Sequence, residues 1–185
     1  MAGKPQKRDS PNRTETLIFL HGLKGSPTGT KATLIQKLYP QTIIPDLPQD
    51  LTERVQIVSQ IAGRSTLIIG SSLGGLTALM YAANHRNQVK GLMLLSPAVG
   101  VHNPSAYPKE ILQLLNEVII PPKIPTVIIA AEEDEVIPLD AIKALVARSP
   151  DSQNIHLSIV QDTHTLSNSL DIIKSQLRTF CDRPL

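Results

Sequence analysis

Gly70-Ser71-Ser72-Leu73-Gly74 has the spacing Gly-x-Ser-x-Gly, with Ser72 at its centre. A serine hydroxyl is a weak nucleophile, and this spacing is one way to make it a useful one. A sharp strand-to-helix turn lifts the hydroxyl clear of the backbone, and the flanking glycines relieve crowding around the strained residue. The context agrees: Leu67-Ile68-Ile69 reads as a strand ending at Gly70, and an apolar helical pattern starts at Leu73. Gly75 adds a second small residue where that helix would approach the strand. The turn also sets the Leu73 N–H at a helix start, where it can face a developing oxyanion. The plainer alternative is a tight turn carrying a solvated serine. Ser71 lacks the glycine spacing.

A serine nucleophile of this kind needs a base and an acid that orients the base, following it in the order Ser, Asp or Glu, His. The apolar run Thr126–Ala131 leads into Glu132-Glu133-Asp134-Glu135, and the run Ile155–Val160 leads into Gln161-Asp162-Thr163-His164. Both groups fall just past the C-terminal end of a strand, on the rim where Ser72 would stand. His164 is therefore the candidate base. His156 lies within a strand, His85 at a helix end and His102 in a proline-rich stretch. His21-Gly22-Leu23 follows the first strand, and its glycine would let the Leu23 N–H approach the nucleophile as a second oxyanion donor. Gly25-Ser26-Pro27-Thr28-Gly29-Thr30-Lys31 resembles a phosphate-binding loop but fails its spacing. There are three residues between the glycines instead of four, and Thr30 separates Gly29 from Lys31.

The elements that must position these residues alternate along the chain. Strands are expected at Thr16–Leu20, Thr42–Pro45, Thr66–Gly70, Val89–Leu95, Thr126–Ala131 and Ile155–Val160. Most are continuously apolar, as parallel strands covered on both faces are. The last alternates and belongs nearer an edge. Helices are expected at Gly29–Leu38, Leu51–Ile61, Leu73–His85, Lys109–Val118, Pro138–Ala147 (with Pro138 at the first helical position) and Thr165–Phe180. Leu51, Val55, Val58 and Ile61 make one apolar stripe. The alternation implies an α/β fold, a mostly parallel sheet of about six strands with helices on both faces. One domain is expected over 15–185, after a polar tail at 1–14. The stretch 96–125, with six prolines around Ile111-Leu112-Gln113-Leu114-Leu115, is either a core helix or a short flap over a pocket.

Composition narrows the classes. Lys plus Arg number 18 against 16 acids, and residues 1–14 alone carry +3, so no strong field points to nucleic acid or an anionic membrane. The single cysteine, Cys181, suits a reducing compartment. No apolar run approaches a bilayer span, and the first is too short for a signal-peptide core, so a cytoplasmic protein is expected. The sequence leaves the oligomeric state open.

Taken together, strand–His-Gly, strand–Gly-x-Ser-x-Gly–helix, strand–x-x-x-Asp-x-x-Ile-Pro and strand–x-x-x-His resemble the α/β-hydrolase family from about Thr16 to Phe180. In that family the acid commonly stands three residues after a glycine and four before a proline. Asp134 fits, with Ala131 in the glycine place and Pro138 in the proline place, which favours it over Glu133. More narrowly, Leu20–Pro27, Ile44–Pro48, Gly70–Gly75 and Ser96–Val99 are similar to the compact bacterial YqiA-like esterases, and two leading strands of larger hydrolases are missing. The resemblance implies carboxylic-ester hydrolysis by Ser72, His164 and Asp134, with an oxyanion hole from Leu23 and Leu73. His21, Gly22, Val99 and Val136 would border a small-molecule acyl substrate, and no metal or organic cofactor is needed. Thioester or amide cleavage by the same triad, or a non-catalytic binding protein on the same fold, are the alternatives.

Overall fold

The computed structural model describes residues 15–182; the expected tail at 1–14 lies outside the described residues. Five strands form one parallel sheet in chain order: β1 (Thr16–Leu20), β2 (Thr66–Ser71), β3 (Val89–Leu95), β4 (Thr126–Ala131) and β5 (Ile155–Val160). The helices are α1 (Thr30–Leu38), α2 (Leu51–Ile61), α3 (Leu73–His85), α4 (Lys109–Glu117), α5 (Leu139–Arg148) and α6 (Leu170–Cys181). The apolar strands β2 and β4 are buried at every position, while the alternating β5 forms a sheet edge and exposes His156 and Ile159.

The sixth expected strand is reduced to one bridge. Ile43 N–H donates to the Leu17 carbonyl and the Ile43 carbonyl accepts from Phe19 N–H, each at 2.9 Å. Continuing that parallel ladder would require an N–H from residue 45, which is proline and has none. The bridge still matters, because it lies on the side of β1 away from β2. The chain moves outward from β1 through α1, then returns through α2 to β2 and proceeds in the other direction. Right-handed crossovers put helices on opposite faces for opposite directions of travel. Accordingly Ala32 and Ile35 of α1 pack with Ile173, Leu177 and Phe180 of α6 on one face. Val58 of α2, Leu79 of α3 and Leu145 of α5 share the other. The reversal falls between β1 and β2, where a crevice opens at the strand C-termini.

Three helix starts differ from expectation, the first by one residue: Gly29 is the cap and α1 begins at Thr30. Pro138 is the cap residue, extended at φ −58° and ψ 129°, and α5 begins at Leu139. The last helix begins at Leu170, five residues later than the pattern suggests. Asp162 captures the Asn168 N–H and the Ser169 hydroxyl, and Leu166 sits at φ 53°, so residues 165–169 make a turn instead. In the proline-rich stretch, residues 102–111 are exposed and α4 buries only Leu115. Its returning half is anchored by Arg148, which donates to the carbonyls of Leu115 and Val118 at 2.8 and 2.7 Å.

Candidate active site

Ser72 stands between β2 and α3 at φ 53° and ψ −119°, a conformation that an L-residue adopts at a cost of about 1–3 kcal/mol. Its surroundings hold it there. Ser72 N–H donates to the Leu95 carbonyl at 2.9 Å, and its own carbonyl accepts from Gly75 and Ala98 N–H at 2.8 and 3.0 Å. The glycines are required by close approach. A Cβ on Gly70 would lie 2.5 Å from the Gly74 oxygen, one on Gly74 would overlap the Leu20 carbonyl, and one on Gly22 would lie 3.1 Å from Ser72 Cβ. The backbones of β1, β2 and α3 thus meet without intervening side chains.

Asp134 and His164 arrive from the ends of β4 and β5. Ser72 Oγ lies 2.9 Å from His164 Nε2, and His164 Nδ1 lies 2.9 and 3.0 Å from the two Asp134 oxygens. A carboxylate only accepts, so the imidazole carries its proton on Nδ1 and turns the Nε2 lone pair toward the serine. Asp134 is buried and also accepts from the Val136 and Ile137 N–H groups at 2.9 and 2.7 Å. Burial pushes its pKa up, but the hydrogen bonds from His164, Ile137 and Val136 outweigh this and hold it below the ordinary value. Glu133 is exposed, and it is Asp134, not Glu133, that bonds the His164 ring.

The His21 segment is held from beneath. Leu47 N–H donates to His21 Nε2 at 3.2 Å, so Nδ1 bears the proton and donates to the Gly22 carbonyl at 2.8 Å. In a trans peptide that fixes the opposite direction for the Leu23 N–H. Below lies Arg54, 0% exposed, whose guanidinium donates to the carbonyls of His21 and Pro48 and to the Thr77 hydroxyl. No carboxylate is among these partners, and burial lowers its pKa to about 10.

Ser72, Asp134 and His164 are therefore brought together, with Gly22 against the serine and Leu73 heading α3. Leu23 and Val136 are 52% and 46% exposed. Val99 differs from its expected place at a pocket wall. It is 2% exposed and packs in the core, so its side chain does not reach the open surface. Four residues escaped the sequence reading. Arg54 had a signal, since it stands between Leu51 and Val58 at stripe spacing. Asp162, Glu135 and His102 had none. Asp162 organises the loop around His164 by accepting from Thr163 N–H at 2.8 Å, Asn168 N–H at 2.9 Å and the Ser169 hydroxyl at 2.8 Å. Glu135 accepts the His164 N–H at 3.1 Å, and His102 Nε2 lies 2.8 Å from the Asp134 carbonyl.

A model of the serine aminopeptidase family S33 matches residues 43–122, which include Ser72 but neither Asp134 nor His164. Among solved structures, α/β hydrolase domain-containing protein 10 from mouse superposes with a TM-score of 0.74 at 17% identity, over 92% of this chain and 90% of that one. Est1E from Butyrivibrio proteoclasticus gives 0.69 at 18%, over 92% and 88%. An esterase from a marine microorganism gives 0.65 at 17%, over 90% and 95%. At such identities the likeness is one of fold. With its parallel sheet, the glycine-flanked turn at Ser72 and these superpositions, the chain has the α/β-hydrolase fold.

Proposed function

We propose that the protein is a serine hydrolase that cleaves carboxylic esters through Ser72, His164 and Asp134. The observation that carries this reading is the unbroken hydrogen-bond chain from Ser72 Oγ through the imidazole to the Asp134 carboxylate. His164 Nε2 takes the serine proton as Oγ attacks the acyl carbonyl. Asp134 holds the tautomer and stabilises the imidazolium that forms. The N–H groups of Leu73 and Leu23 receive the oxyanion, each donor worth about 3 kcal/mol of barrier. The imidazolium then protonates the leaving alcohol, and the same base activates water to release the acid from Ser72.

A fluorophosphonate probe with peptide mapping tests this. Labelling at Ser72, lost in Ser72→Ala, is expected; labelling at Ser71, or retained in the variant, overturns the assignment. The description of the matched family favours a second reading, amide cleavage by the same residues. Rates on a nitrophenyl ester against an aminoacyl nitroanilide separate the two, and the ester is expected to be faster. With Leu23 and Val136 open to solvent, few methylenes of an acyl chain can be buried, at about 0.8 kcal/mol each. Short acyl esters are therefore expected to outrun palmitate, and an optimum at long chains would argue for a lipase-like groove.

A further inference from the structure

Beside the serine, on the α1 and α6 face of the sheet, is a cavity of about 320 Å³. Gly22 and Ser71, which flank Ser72, form part of its wall, and Thr165, next to His164, forms another part. The cavity is thus continuous with the ground on which the nucleophile stands. Its charged lining is one-sided. Lys24 and Lys31 both border it and no acidic side chain does. The hydroxyl residues Ser26, Thr30 and Ser167 complete a wall that can donate hydrogen bonds from several directions.

Lys31 is the informative residue. It is half-buried, and among the described residues its ammonium has no hydrogen-bond acceptor or ion-pair partner. The carboxylate that acts on it is Asp162, already occupied by Thr163, Asn168 and Ser169. Burial pulls the Lys31 pKa down more than the Asp162 charge raises it. A cation partly withdrawn from water, with no acceptor in direct contact and burial outweighing the Asp162 charge, gains from a ligand that supplies negative charge. The loop from Gly25 to Lys31, which fails the spacing of a nucleotide-binding loop, still delivers this lysine to the cavity wall.

We infer that this cavity is an anion subsite, holding a carboxylate or phosphate carried by the substrate while the scissile carbonyl sits at Ser72. The preferred esters are then anionic ones, with the charge a few bonds from the reacting centre. This rests on the hydrolase reading above and narrows its substrate class.

The test compares kcat/KM for mono-4-nitrophenyl glutarate and 4-nitrophenyl butyrate. The wild type favours the glutarate hemiester by about tenfold or more, the scale of one charge-assisted contact. That ratio falls toward one in Lys31→Met, falls less in Lys24→Met, persists in Lys31→Arg and shrinks with added salt. Equal or better turnover of the neutral ester by the wild type overturns the inference, as does an unchanged ratio in Lys31→Met. If neither ester is turned over, the hydrolase reading fails, and the subsite is judged by binding alone. Glutarate or inorganic phosphate then raises Tm in the wild type and not in the Lys24→Met/Lys31→Met double variant. No shift, or a shift that survives both substitutions, refutes it. The larger of the two shifts tells carboxylate from phosphate.

Discussion

The two halves of the candidate site are held in different ways. On the β1–β2 side, Ser72, Gly22 and Leu73 are fixed by backbones in close approach, with Gly70 and Gly74 leaving no room for a side chain. On the β4–β5 side, Asp134 and His164 sit in loops tied by carboxylates to backbone N–H groups: Asp134 to Val136 and Ile137, Asp162 to Thr163 and Asn168, Glu135 to His164. The first arrangement is sensitive to volume. The second depends on the ionisation of its acids.

The largest effect is expected where the polar half meets the chemistry. Asp134→Asn keeps the shape but lets the wrong tautomer of His164 form, so turnover falls by up to ~10⁴-fold, as for this change in serine proteases. Glu133→Gln, one residue earlier and exposed, leaves turnover nearly unchanged. Steady-state rates of both variants check this, and a reversed result would move the acid to Glu133.

Next comes the packed half. Gly74→Ala forces a methyl group onto the Leu20 carbonyl and shifts α3 against β1, at a cost of about 3 kcal/mol or slightly less. Chemical denaturation should show that loss at pH 7 and at pH 5 alike, because the clash is between a methyl group and backbone carbonyls. A loss that varied with pH would show that the two halves are not independent.

Asp162→Asn is the matching change on the polar side. It replaces an acceptor of N–H bonds by a group that also donates, and about 1–3 kcal/mol of stability is expected to disappear at pH 7. The sign of the pH dependence follows from the direction of the shifts. Burial raises the pKa values of Asp134 and Asp162, but hydrogen bonds more than reverse this and leave both below the ordinary value. Their contribution is complete above the unfolded carboxylate pKa of about 3.9 and is lost as pH falls through it toward the folded values. Wild-type Tm should therefore be nearly flat from pH 7 to 5 and drop below about 4. Asp162→Asn should start lower and drop less. An equally steep acid limb in the variant would mean that Asp162 is not one of the groups responsible.

The smallest effect belongs to Glu135→Gln. The side chain is exposed, and an amide oxygen can still accept the His164 N–H, so stability should not change measurably. Turnover should fall far less than in Asp134→Asn. A fall comparable to that of Asp134→Asn would make Glu135 the acid that positions His164.

Much of this was written locally in the chain. Apolar runs of strand length, the stripe in α2 and the Gly-x-Ser-x-Gly spacing are short-range patterns, and each reports one physical demand over a few residues. Chain order nominated His164 and the acidic run 132–135, because both follow strands in a parallel sheet and so fall on one rim. The family resemblance then singled out Asp134 by its spacing to Pro138. What only the tertiary structure decided depends on partners distant in sequence. Nothing near Arg54 in the chain says that its guanidinium reaches the His21 carbonyl, 33 residues away, and a charge on an apolar stripe reads as an interruption of it. The late start of α6 follows from a carboxylate eight residues before Leu170 that binds the turn in place of a helix. Val99 is expected to border the substrate from the family resemblance, yet it is packed in the core. Periodicity marks which residues turn away from water, but hydrogen bonds across the fold determine what they turn toward.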